Sequence, residues 1–253
     1  MSNDPCRHWL SRFRIVLVEP SHPGNIGAAA RAMKTMGFSE LVLVRPKQFP
    51  SAVATERASS ADDILQRALV VDDVEHAIAD CHWIIGTSAR SRSLEPEQHS
   101  PRTLASALSH DYAKGRVALV FGRENNGLTN HELELCHAHL TIPTNPEYSS
   151  LNLAMAVQVV CYELRQWALE CTDKEWQPKR PKPVSSEEMQ CFYAHLESVL
   201  IQIGFLDPEK PRRLMPRLRL LFGRAAPDKV EMNILRGMLT AVEKQLKRDR
   251  GGS

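Results

Sequence analysis

No stretch of these 253 residues approaches the run of ~20 apolar residues that a membrane-spanning helix needs. Residues 1–14 carry charges throughout, where a secretory leader would have an apolar core, so a cytoplasmic protein with no membrane association is expected. Six cysteines are scattered along the chain, with no CxxC pair and no His/Cys cluster at zinc-finger spacing. That pattern argues against a disulfide framework and a structural metal, and Cys81 and Cys161 read as small core residues. Gly24 and Gly27 do not complete a GxGxxG fingerprint, which disfavours a Rossmann dinucleotide site. There is no internal repeat and no low-complexity segment.

What is present is ordinary globular composition, 43% hydrophobic and 25% charged, in a chain long enough for one large domain or a domain with an appendage. The net charge of +2 hides an uneven distribution. From Thr172 onward there are 16 Lys+Arg and 11 Asp+Glu, a surplus of five positive charges, and the preceding residues carry a deficit of three. Lys210, Arg212, Arg213, Arg217 and Arg219 fall within ten residues containing no acid, a pattern suited to a phosphate backbone.

Read in order, the first 171 residues alternate strands and helices. Ile15–Val18, Leu41–Val44, Leu69–Val71, Trp83–Gly86, Val117–Phe121 and Leu140–Ile142 are short runs of β-branched and apolar residues, as in strands buried on both faces of a parallel sheet. Ala28–Met36 has strong helix propensity and stops at Gly37; Val74–Asp80 is a further helix. Thr129 with Glu132, and Ser185 with Glu188, have capping-box spacing. Beyond Pro143, Ser149-Ser150 is placed as the N-cap of a helix whose apolar face is Leu153, Val157, Val160, Leu164 and Trp167. A linker at 172–184, with Pro178, Pro181 and Pro183, separates this α/β domain from a helical segment at 185–253, with helices near 189–203, 211–222 and 228–247.

Three loops stand out chemically. Asn25 and Arg31 are polar groups at the opening of an Ala- and Met-rich helix; Thr87-Ser88-Ala89-Arg90-Ser91-Arg92 is a polar, basic loop at a strand's carboxyl end; Gly122-Arg123-Glu124 through Gly127-Leu128 is a charged loop bracketed by glycines. In open α/β sheets ligands bind at that end of the strands. Taken together with Ile142-Pro143 through Ser149-Ser150-Leu151-Asn152-Leu153, these loops resemble the SPOUT superfamily, and within it the TrmH-like RNA ribose 2′-O-methyltransferases.

The resemblance implies a SPOUT-type Rossmann-like parallel sheet ending in a deep trefoil knot, plus a small all-α C-terminal extension. It implies S-adenosylmethionine (SAM) as methyl donor, touched by Thr87, Ser88, Ala89, Gly122, Ile142, Ser149, Ser150 and Leu151. It further implies a homodimer packed through the helix from Leu151 to Cys171. The likeness is greatest to the tRNA cytidine/uridine-2′-O-methyltransferases that act at nucleotide 32 of the anticodon loop. Arg31 takes the central catalytic role, with Asn25 beside it; a phosphate oxygen, a water, Glu124 or Ser150 are the alternatives for accepting the hydroxyl proton. Arg90, Arg92, Arg212, Arg213, Arg217 and Arg219 are the expected tRNA contacts. The competing readings are a TrmH-like enzyme acting on another tRNA or rRNA position, an RNA-binding protein without catalysis, and a small-molecule enzyme.

Overall fold

The computed structural model describes residues 4–88, 97–104, 107, 115–171 and 181–251. In chain order these contain α1 (Arg7–Leu10), β1 (Phe13–Val18), α2 (Pro23–Met36), β2 (Glu40–Val44), α3 (Ala52–Ala58), α4 (Asp62–Arg67), β3 (Leu69–Val71), α5 (Val74–Ile78), β4 (Trp83–Thr87) and β5 (Glu97–His99). Then come β6 (Val117–Phe121), α6 (Asn130–Glu134), β7 (Ala138–Leu140), α7 (Leu153–Cys171), α8 (Ser186–Gln202), α9 (Leu214–Ala225) and α10 (Lys229–Gly251).

All the strand pairs are parallel, and the seven strands form one sheet in the order β3-β2-β1-β6-β4-β7-β5. The central strands β1 and β6 are buried along their whole length, because successive side chains point to opposite faces and both faces are covered. Ile15 and Leu17 join the core under α2 and α7, whereas Val16 and Val18 join the one under α5 and α6. At the amino end of the sheet the buried Arg14 guanidinium donates to Glu40, Asp80 and the Ala77 carbonyl, which satisfies a charge that burial alone would make costly.

Most element ends shift from the sequence reading by a few residues, and the differences near the sheet's carboxyl edge have identifiable causes. Helix α2 starts at Pro23, before the Ala-rich run, because His22 caps it: its Nδ1 accepts from the Gly24 amide at 3.0 Å, with Pro23 in the first turn. It does stop at Gly37, which has φ +87°. Helix α7 starts at Leu153 and its cap is Asn152, whose Oδ1 accepts from the Ala154 amide at 2.9 Å; Ser149 and Ser150 lie in the preceding loop. Strand β7 ends at Leu140, not Ile142, and the polar edge strand β5 was not foreseen.

Both capping boxes are present, opening α6 and α8. Helices α8 to α10 share a separate small core around Met189, Phe192, Tyr193 and Met232. They sit against the sheet part of the same chain, where the Ser186 and Glu187 amides donate to the carbonyls of Cys81 (2.8 Å) and Ala79 (3.1 Å). No described helix is long and apolar enough to cross a membrane.

Candidate functional site

The loops that follow β4, β6 and β7 meet at the carboxyl edge of the sheet and enclose a cavity of about 280 Å³. Its walls include Thr87, Ser88, Gly122, Ile142, Ser149, Ser150 and Leu151, so the structure brings these expected cofactor contacts together. Ala89, Arg90 and Arg92 lie outside the described residues. Hydrogen bonds knit the loops: the Ser88 amide donates to the Leu140 carbonyl (2.9 Å), and the Thr141 hydroxyl donates to the Ser88 carbonyl (2.9 Å). The Thr87 hydroxyl donates to the Val120 carbonyl at 3.1 Å.

Gly122 shows why this loop needs glycine. A Cβ there would stand 2.2 Å from the Gly127 carbonyl carbon and 2.4 Å from the Leu128 nitrogen, so the loop folds back on its own backbone. The turn is braced from below by Arg123, whose guanidinium pairs with Glu19 (2.8 Å) and Glu132 (2.9 Å). Hydrogen bonds from Arg123 hold the Glu19 carboxyl down at about 2, against the weaker opposing push of burial. Arg123 is a structural residue that the sequence reading passed over, and nothing local in the sequence links it to Glu19.

A polar chain runs from the cavity wall at Glu124 to the start of α7. Glu124 accepts from the Asn25 side chain (2.9 Å) and from the Ser21 amide (3.1 Å), and Asn25 Oδ1 accepts from the Asn152 side chain (3.0 Å). Asn152 in turn caps α7, so one relay ties α2, the β6 loop and α7 together. Burial pushes the Glu124 carboxyl upward, but hydrogen bonds from Asn25 and from backbone amides outweigh it and hold the group below its ordinary value. Glu124 is therefore an ionised carboxylate with its acceptors already engaged. Its partners among the described residues are Asn25 and the Ser21 backbone, and no arginine pairs with it.

Arg31 is exposed on α2, six residues beyond Asn25, and is not part of the cavity wall. Six residues of helix are roughly 9 Å of rise, which separates Arg31 from the Asn25 end of α2. Ser150 is exposed at the cavity rim. Arg212, Arg213 and Arg217 are exposed near or on α9. Arg219 is differently used: its guanidinium lies 4.5 Å over the Tyr193 ring and donates to Gln190 at 2.8 Å, fastening α9 to α8. Among the described residues no group of three or more His, Cys, Asp or Glu is arranged to hold a metal ion.

A parallel sheet with a loop-built cavity at its carboxyl edge and small residues lining it defines a class, and comparison gives that class its family. Residues 12–162 match the model of the SpoU rRNA methylase family, and the chain belongs to that family. Residues 187–251 match the C-terminal domain of the tRNA methyltransferase TrmJ. Over 244 residues the chain is 53% identical to the tRNA (cytidine/uridine/adenosine-2′-O-)-methyltransferase TrmJ of Pseudomonas aeruginosa, covering 93% of this chain and 95% of that protein. It is 47% identical over 248 residues to the tRNA (cytidine/uridine-2′-O-)-methyltransferase TrmJ of Yersinia pestis, covering 96% of each. The crystal structure of TrmJ from Z. mobilis superposes with a TM-score of 0.79 at 34% identity, over 91% of this chain and 98% of that one.

Proposed function

We propose that this chain is a SAM-dependent tRNA ribose 2′-O-methyltransferase, acting in the cytoplasm on the cytidine or uridine at position 32 of the anticodon loop. One observation carries the reading: every described residue expected to touch SAM lines a single cavity, and Glu124 in its wall is hydrogen-bonded to Asn25. The cavity joins apolar walls, among them Leu140 and Leu153, to the ionised Glu124, a combination that suits a heteroaromatic ring and a cationic sulfur. Residues 1–171 form the methyltransferase domain, 172–184 a linker and 185–253 a tRNA-binding helical domain. The segment after β7 threads back through the β4 and β6 loops as a trefoil knot, a reading supported by the way these same three segments enclose the cavity.

When bound, SAM supplies a methyl group on a positively charged sulfur, an electrophile that needs no further activation. The chain must orient the ribose hydroxyl in line with that methyl and assist loss of its proton. The exposed Arg31 guanidinium clamps the phosphate next to the target ribose and favours its alkoxide. Glu124 is a weak base in this setting, so its part is to hold Asn25, and Asn25 positions the ribose. A phosphate oxygen, a water or Ser150 then takes the proton.

Helix α7 carries an exposed apolar stripe of Met155, Val159, Tyr162 and Leu169 on the side away from the core, which supports a homodimer packed through this helix. The test is to incubate the protein with unmodified tRNA and methyl-labelled SAM, digest the RNA and identify the labelled nucleoside by mass spectrometry. Label in 2′-O-methylcytidine or 2′-O-methyluridine of an anticodon-loop fragment is the expected result. Label at another position moves the target within the TrmH-like enzymes, and SAM binding without label to any tRNA overturns the proposal.

A further inference from the structure

A second cavity, of about 400 Å³, lies on the face of the sheet that α5 and α6 cover, between α6, β7 and α9. It is built from both parts of the chain. Arg212, Arg213 and Arg224 come from the helical tail; Asn130 and Glu134 come from α6; Leu133 and Leu220 face it from opposite walls. At one side the tail touches the sheet part directly, where a Cβ on Gly223 would lie 3.8 Å from His137 Cδ2. The Ile84 amide donates to His137 Nδ1 (3.1 Å) and burial pushes this imidazole down to about 4, so His137 stays neutral and adds no charge. Among the described lining residues the exposed guanidiniums therefore face one carboxylate, Glu134, and this lining is positive.

Its size suits a small ligand or one nucleotide. Cations pair with phosphates, the apolar walls accept a base, and Asn130 and Glu134 offer donors and an acceptor for a base edge or a 2′-hydroxyl. The position is informative as well. Asn130 follows Leu128 by two residues, and Leu128 lines the first cavity, so at most ~7 Å of chain separates the two walls. We propose that this second cavity takes a splayed-out nucleotide of the substrate RNA strand, next to the one whose ribose is methylated. The proposal rests on the RNA methyltransferase reading above and adds the place where a neighbouring nucleotide is held.

The test uses the full chain, an unmodified tRNA transcript and the double variant Asn130→Ala/Arg224→Ala. The expected result is a KM for tRNA raised about tenfold, with kcat and the Kd for SAM within about twofold of wild type. Loss of a zero-length cross-link from 4-thiouridine beside the target to the 130–139 peptide is expected with it. Arg224→Lys keeps the charge and should come closer to wild type than Arg224→Ala made alone; equal damage by these two single variants would indicate lost packing and overturn the proposal. Cytidine monophosphate at constant ionic strength separates a strand nucleotide from a free one. Protection of this cavity by the mononucleotide, with an unchanged KM for tRNA in the double variant, assigns it to a small anion and also overturns the proposal. An unchanged KM in an enzyme that methylates tRNA sinks the cavity assignment alone, and a wild-type protein that neither binds nor methylates tRNA sinks the reading beneath it.

Discussion

The cavity at the sheet edge and the helical tail solve opposite problems. The first is made of backbone, small side chains and engaged polar groups: Gly122 folded onto Gly127, Ser88 locked to Leu140, Glu124 tied to Asn25. The second offers exposed arginines on helices that share a five-residue buried core, with Arg219 alone drawn inward over Tyr193. A preorganised cavity selects a small molecule by shape, whereas an exposed basic face attracts a polyanion through charge. Substitutions in the two regions should therefore fail in different measurements.

The sharpest contrast is expected from Arg31→Ala. In the proposed role Arg31 clamps the phosphate beside the target ribose, and removing that cation should lower kcat about a thousandfold. Because Arg31 is not part of the cavity wall, calorimetry should find the Kd for SAM within about twofold of wild type; equal loss of both would place Arg31 in the cofactor site or the fold. Gly122→Ala should show the reverse signature. The added Cβ collides with backbone, so the loop must shift, and the Kd for SAM should rise by about a hundredfold.

Arg212→Ala/Arg213→Ala should weaken tRNA binding by about tenfold and lower the slope of log Kd against log salt by about 2, leaving the Kd for SAM unchanged. A salt slope equal to wild type would remove these arginines from the RNA surface.

The smallest effect concerns pH. His137 is held neutral beneath α9, where burial lowers its pKa to about 4 from an ordinary 6.5. The unfolded chain takes up its proton as pH falls through about 6.5, and the folded chain does not do so until about 4, so stability declines across that window. Thermal melts at pH 7 and pH 5 should differ by a few degrees more in wild type than in His137→Gln, and equal differences would break the assignment.

Much of this architecture is legible in the chain because the determinants are local. The apolar runs gave β3 and β6 to the residue, and both capping boxes and the Gly37 stop appear where their spacing placed them. The misses arise where a tertiary contact decides. Gly24 and Gly27 read as loop residues, yet both lie inside α2; a Cβ at Gly27 would stand 2.0 Å from the Ala54 carbonyl oxygen, so the glycine serves the packing of α2 on α3. Ser149, Ser150 and Asn152 are all acceptable caps, and the structure uses the one that also reaches Asn25. Strand β5, Glu-Gln-His, has no apolar alternation to announce it and owes its place to pairing with β7. The loop motifs named described residues that line the cavity, such as Ser88, Gly122 and Ser150; they did not point to the Arg123 brace, since its partner Glu19 lies 104 residues away.

The relay from Glu124 through Asn25 to Asn152 also dates the site in the life of the chain. Its two links span 99 and 127 residues, so during synthesis Asn25 emerges long before either of its two side-chain partners exists. Closing loops of this length is entropically costly and comes late in folding. The sheet-edge cavity should thus appear in one step, when Asn152 docks, and on the proposed function nascent chains halted short of that residue should carry a sheet but bind no SAM.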